Sequence, residues 1–198
     1  MAVHLTRIYT RTGDDGTSGL GDFSRVAKSD PRLVAYADVD EANCALGVAL
    51  ALGALEQRLI GVLGQVQNDL FDVGADLCTP IAPLEDQSQR PPLRIDERYI
   101  TRLEDWCDEF NDALPKLDSF ILPGGTPGAA LLHTARVVTR RAERSVWALL
   151  AIDAERTNKL TAHYLNRLSD LLFILSRVAN PGGDVLWQPG GVHPDGGS

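Results

Sequence analysis

The sequence predicts an all-α fold, a bundle of five helices. Two observations carry that expectation. Five stretches repeat apolar residues at helical spacing, and almost nothing alternates in the manner of a strand. A third observation sets the scale: 198 residues with 44% hydrophobic side chains suit one domain. At that size about 70% of the surface is buried on folding, without a disulfide framework or a metal staple. No internal repeat is present.

Residues 1–30 carry little helical periodicity and four glycines between Gly13 and Gly21, so an ordered loop or short extended arm is expected there. Ser29-Asp30-Pro31 then supplies a capping side chain and a first-turn proline, the start of a helix predicted over 31–52. In the second helix Leu55, Leu59, Val62, Val66, Leu70, Val73 and Leu77 step by three or four, one continuous apolar stripe. Four prolines around a polar centre make 79–95 a long loop, expected to be mobile. Asp96 caps a third helix reaching about 114, and Ser119 to Leu122 is a short extended piece before Pro-Gly-Gly. The fourth helix is predicted over 127–152 and the fifth over 157–180, closed by Asn180-Pro181-Gly182-Gly183. The domain is therefore expected to span 1–183, with the arm over 1–30 and the bundle over 31–183. Residues 184–198 form a Gly/Pro-rich tail with no core of its own, in which Val185-Leu186-Trp187 is the piece able to dock.

Composition narrows the function. With 19 basic against 27 acidic residues the net charge is −8, the wrong sign for a protein that coats nucleic acid. Cys44, Cys78 and Cys107 are odd in number and far apart, which argues against a disulfide scaffold or structural zinc and for a reducing cytoplasm. They are expected as small buried hydrophobes. The start has no apolar core of a secretory signal, and the most apolar stretch, Ala45 to Leu55, is 11 residues. A membrane span needs ~20. A cytoplasmic protein without membrane or nucleic-acid partners is expected.

Two regions depart from a plain bundle. The segment Thr10-Arg11-Thr12-Gly13-Asp14-Asp15-Gly16-Thr17-Ser18-Gly19 lets backbone N–H groups and hydroxyls converge on one point, the composition of a phosphate cradle. It is neither a Walker A loop nor a G-x-G-x-x-G turn, and a surface turn rich in Gly and Asp has the same look. On the fourth helix Arg136, Arg140 and Arg144 fall at i, i+4 and i+8, so three guanidiniums share a face over ~12 Å. Four arginines against Glu143 leave residues 133–144 at +3. Such a row needs an anion or facing carboxylates, and guanidinium forks suit a polyphosphate. A solvated face or inter-helix ion pairs would fit equally. On the fifth helix a stripe of Asn166, Asp170, Phe173 and Arg177 either bonds within the bundle or faces a ligand. No E-x-x-H pair, G-x-S-x-G elbow or ligand-spaced histidines occur. The residues thus lead to an anion-binding, nucleotide-binding helical bundle, and not to a reaction.

Five further strings occur here in one order: Ile8-Tyr9-Thr10-Arg11-Thr12-Gly13-Asp14-Asp15-Gly16, Val39-Asp40-Glu41-Ala42-Asn43, Phe120-Ile121-Leu122-Pro123-Gly124-Gly125, Arg140-Arg141-Ala142-Glu143-Arg144 and Leu165-Asn166-Arg167-Leu168-Ser169-Asp170. Together they closely resemble the PduO-type ATP:cob(I)alamin adenosyltransferases, over roughly residues 8–180. The resemblance implies a five-helix bundle assembled as a homotrimer, with ATP between neighbouring subunits. It implies transfer of the 5′-deoxyadenosyl group of ATP to cob(I)alamin, forming adenosylcobalamin and releasing triphosphate, with Mg²⁺ accompanying the nucleotide. Thr10, Arg11, Thr12, Gly13, Ser18 and Gly19 would wrap the ATP and Lys28 would reach its phosphates. Arg140 and Arg144 would bind the triphosphate, with Arg141, Glu143 and Asn166 completing the nucleotide site. Asp40 and Arg136 match an ion pair across the subunit interface. Phe120 matches the aromatic residue beside the corrin, favouring four-coordinate Co(II) for reduction. A reductase and an adenosylcobalamin-dependent mutase are implied as partners. Two positions depart from the family pattern: Arg11 stands where lysine is common, and Ala42 replaces a leucine. A noncatalytic ATP-binding regulator and an adenosylcobalamin carrier are the alternatives on the same scaffold.

Overall fold

The computed structural model describes residues 9–82 and 92–190. Five helices make up the bundle: α1 (Pro31–Leu52), α2 (Gln57–Cys78), α3 (Glu97–Asn111), α4 (Pro127–Asp153) and α5 (Leu160–Val178). Ahead of them β1 (Thr17–Gly19) and β2 (Arg25–Ala27) form a small antiparallel ribbon, Ser18 opposite Val26. The expected all-α class is what is found.

Local chemistry sets most boundaries. Asp30 accepts the Arg32 N–H at 2.8 Å and Pro31 opens α1, while Thr126 accepts the Ala129 N–H and Pro127 opens α4. Asp96 accepts the Arg98 N–H at the head of α3. The fifth helix begins three residues later than its apolar pattern suggests. Ala154–Arg156 is a 3₁₀ turn, and Asn158 is committed elsewhere, donating to the Asp76 carboxylate at 2.7 Å and to the Ile95 carbonyl at 2.8 Å.

The stripe of α2 is buried from Leu59 to Leu77 and meets Leu46 of α1, Leu103 of α3, Leu132 of α4 and Leu165 and Leu172 of α5 in one core. Each such leucine contributes roughly 1.5–3 kcal/mol of burial. Two carboxylates lie inside that same stripe. Asp76 accepts from Arg94, the Ile95 N–H and Asn158, and Asp69 accepts from Arg102, Tyr164 and Gln65. α1 and α4 run antiparallel, joined by Arg32–Asp153, Ser145 to Asp38, and Arg141–Glu41. Where they end together the backbones nearly touch: a Cβ on Gly128 would sit 2.7 Å from the Gly53 carbonyl.

Two expectations are corrected. Cys44 is exposed and Cys78 and Cys107 only partly buried, so the cysteines are not core hydrophobes. The polar stripe of α5 is not one buried row: Asn166 and Asp170 are exposed, and only Arg177 is buried. The Val185-Leu186-Trp187 piece docks as it was expected to be able to, with Ile121 and Leu186 bridging antiparallel. Of the loop over 79–95, residues 83–91 lie outside the described residues. Its ends are tied down, with the Ile81 N–H bonded to the Arg156 carbonyl and Ile95 buried.

Candidate functional site

The arm is built from tight turns. The Thr10 and Thr12 hydroxyls share a hydrogen bond of 2.8 Å, Arg11 takes a left-handed φ of 63°, and the Gly16 N–H bonds the Gly13 carbonyl. Gly16 itself has φ 81°, a conformation glycine adopts without strain. Asp15 accepts both the hydroxyl and the N–H of Thr17, and these bonds hold its carboxyl below the usual carboxylate range. The Lys28 N–H bonds the Gly16 carbonyl at 2.9 Å, and its ammonium lies 3.4 Å from where a Cβ on Gly13 would stand. Ribbon pairing thus brings Lys28 to the glycine turn. Ser18 pairs with Val26 in the ribbon, whereas a Cβ on Gly19 would meet only open space. The whole arm leans on the α2 C-terminus and the 3₁₀ turn, through the Gly21 N–H to the Cys78 carbonyl and Asp22 to Arg156.

The second component is the outer face of α4. Among the described residues no carboxylate pairs with Arg136, Arg140 or Arg144. Arg141 differs from them, being neutralised by Glu41 of its own chain. Glu143 accepts from Trp147 and from Asn166, each at 3.2 Å, which joins Asn166 of α5 to this face. Arg136 is half-buried, its Nε has no acceptor, and its guanidinium lies 6.0 Å above the Phe173 ring. Burial and the neighbouring Arg140 both lower its pKa. Arg136 and Arg140 line a cleft of about 260 Å³ with Ser169, Asp170, Phe173 and Ile174.

Beside it opens a groove of about 600 Å³ walled by Leu117, Ser119, Phe120, Phe173, Trp187 and Pro189. Phe120 is 79% exposed and stands 6.1 Å from the Trp187 ring. Phe173 belongs to both walls, so a cation-lined cleft and an apolar groove adjoin through one ring. On another face Asp40, without an ion pair among the described residues, borders a groove of about 370 Å³ with Asn43, Cys44, Gln67 and Phe71.

The cobalamin adenosyltransferase family model matches residues 8–179. The chain belongs to that family. Among cobalamin adenosyltransferases, the corrinoid adenosyltransferase of Mycobacterium tuberculosis is 67% identical over 191 residues, covering 96% of this chain and 97% of the relative. That of Bacillus subtilis is 38% identical over 92% of each chain. In three dimensions the chain is similar to a phenylalanine-to-histidine variant of the PduO-type ATP:corrinoid adenosyltransferase from Lactobacillus reuteri, complexed with cobalamin and ATP. That likeness has a TM-score of 0.83 at 34% identity and covers 92% of this chain and 97% of the other.

Within one copy of this cobalamin adenosyltransferase chain, the assigned residues gather in three places. Lys28 and the Thr10–Gly13 turn meet, Glu143 and Asn166 meet beside Arg144, and Phe120 stands apart in its groove. No hydrogen bond or ion pair among the described residues joins the arm to Arg140 or Arg144. Phe173 and Trp187 complete the walls. Phe173 sits in the α5 stripe singled out from sequence, but nothing in spacing says that it separates two cavities.

Proposed function

We propose that this chain transfers the 5′-deoxyadenosyl group of ATP to cob(I)alamin, forming adenosylcobalamin and releasing triphosphate. The observation that carries the reading is the junction at Phe173 of a cleft with unpaired arginines and an apolar groove that presents Phe120. One cavity has the chemistry of a polyphosphate site and the other that of a large flat apolar ligand.

The Co(I) electron pair attacks C5′ of the ribose. A Co–C bond forms, the C5′–O bond breaks, and its electron pair leaves with the triphosphate. Negative charge grows on that leaving group, so preplaced Arg140, Arg144 and Lys28 act mainly in the transition state. Proton abstraction is not required. Mg²⁺ travels with the triphosphate and neutralises part of its charge. The described residues include no group of three or more His, Cys, Asp or Glu placed to hold a metal. Glu143 is the carboxylate on the arginine face that would meet a metal carried by phosphates and water.

No bond joins the arm to Arg140 or Arg144 among the described residues, and neither Asp40 nor Arg136 forms an ion pair there. A homotrimer meets both needs: the arm of one copy closes over the arginine face of the next, and Asp40 pairs with Arg136 between them. Phe120 keeps base and water from the lower face of the corrin, which favours four-coordinate Co(II) and eases its reduction by a separate reductase. The product then passes to a mutase.

The test is an anaerobic assay with MgATP and chemically reduced cobalamin. Loss of the Co(I) band with stoichiometric, photolabile adenosylcobalamin and triphosphate is expected. Persistence of Co(I) while ATP still binds would overturn the transferase in favour of a regulator or carrier.

A further inference from the structure

Phe120 is too exposed to be held by packing, and its loop lies in no helix. A buried cation bonds both segments that flank it. The Arg177 side chain is only 5% exposed, one turn beyond Phe173 on α5. Its Nε donates to the Asp184 carboxylate and its Nη2 to the Pro115 carbonyl, each at 2.8 Å. Pro115 lies at the root of the loop that climbs to Phe120, and Asp184 at the root of the segment that pairs with it. One guanidinium therefore ties both roots together. Above that point the two segments zip: the Leu122 N–H bonds the Val185 carbonyl at 2.8 Å and the Trp187 N–H bonds the Phe120 carbonyl at 2.7 Å. Ser119 adds a bond from its hydroxyl to the Trp187 carbonyl.

The geometry requires a fork. A lysine is a single point of charge and does not span a carboxylate and a carbonyl in fixed directions. Placement matters as well, because a group displaced by about 1 Å from its working position loses roughly 10²-fold in rate. We propose that Arg177 is a positioning residue for the transfer reaction, clamping Asp184 and the Pro115 carbonyl so that Phe120 is held at the corrin face. The proposal rests on the role given above to Phe120.

Removing one partner alone would leave a buried unpaired charge and a folding defect. The informative protein is Arg177→Met combined with Asp184→Ala, which removes both charges, alongside Arg177→Lys and Phe120→Ala. Hydrogen exchange on each variant reads the Leu122 and Trp187 amides against those of the helices. Turnover is measured from Co(II)alamin with a chemical reductant and from prereduced Co(I)alamin. The four-coordinate Co(II) signal with ATP bound is followed by magnetic circular dichroism.

In the double variant, protection at Leu122 and Trp187 should vanish while the helices keep theirs. Turnover from Co(II) should fall roughly 10-fold to 100-fold, with the four-coordinate signal, and turnover from Co(I) and ATP affinity should change little. Arg177→Lys should not rescue the defect. Equal losses from Co(II) and Co(I), or wild-type amide protection, would overturn the clamp. Undiminished Co(II) turnover in the double variant beside an impaired Phe120→Ala would overturn Arg177's part alone. Undiminished turnover in Phe120→Ala would overturn the Phe120 reading and Arg177's part in the reaction with it.

Discussion

Arg140 is an exposed cation that forms no ion pair among the described residues, which leaves its charge open to a ligand. Arg140→Ala should lower turnover by about 10²–10³-fold, the usual loss of one preplaced donor. Its helical circular dichroism should match the wild type, because the side chain supports no packing. His133 makes a prediction of a different kind. Its imidazole is buried beside Arg136 with an unpartnered Nδ1, and burial first, then Arg136, pushes its pKa down. A histidine depressed in the fold contributes stability above its unfolded pKa of about 6.5 and loses it as pH falls toward the folded value. His133→Gln should therefore flatten the decline in melting temperature below about pH 6.5. The arginine row was legible from i, i+4 spacing alone. Asp69 and Asp76 were not, because their burial depends on Arg102 and Arg94, and no local pattern pairs residues 33 and 18 positions apart.

At the level of elements, helix starts were the most readable feature. Asp30, Asp96 and Thr126 accept the bonds that their residue types and positions suggest, and the α2 stripe spelled out a buried helix face. The start of α5 was misread because Asn158 serves Asp76 across the bundle, a tertiary demand that overrides local helical preference. The junction of α1 with α4 was likewise invisible, since two glycines far apart in sequence carry no mark of meeting. Gly128→Ala places a methyl 2.6 Å from the Leu55 side chain and 2.7 Å from the Gly53 carbonyl. The helices must part, and chemical denaturation should record a loss of about 1–3 kcal/mol. An unchanged midpoint would mean that the junction is slack.

At the scale of the whole molecule, the proposed homotrimer would bring together an arm and an arginine face that no hydrogen bond or ion pair joins among the described residues of the chain. Asp40→Asn should weaken assembly and ATP affinity together, read by sedimentation and by nucleotide titration. No change in either would remove the Asp40–Arg136 pair from the interface. The bundle and its membership of a family were recoverable from pattern and motif. The bond from Arg177 to the Pro115 carbonyl was not, because any residue at 115 supplies that carbonyl. The bare arginine row has a last consequence, in linkage. Among the described residues no ion pair neutralises Arg136, Arg140 or Arg144, so they repel one another in the empty protein, and a ligand that relieves this is bound by the folded chain alone. Inorganic tripolyphosphate, which has neither adenine nor ribose, should raise the melting temperature in proportion to the logarithm of its concentration. Sodium chloride at the same ionic strength should not, and the proposed leaving group would thereby become a thermometer for the arginine row.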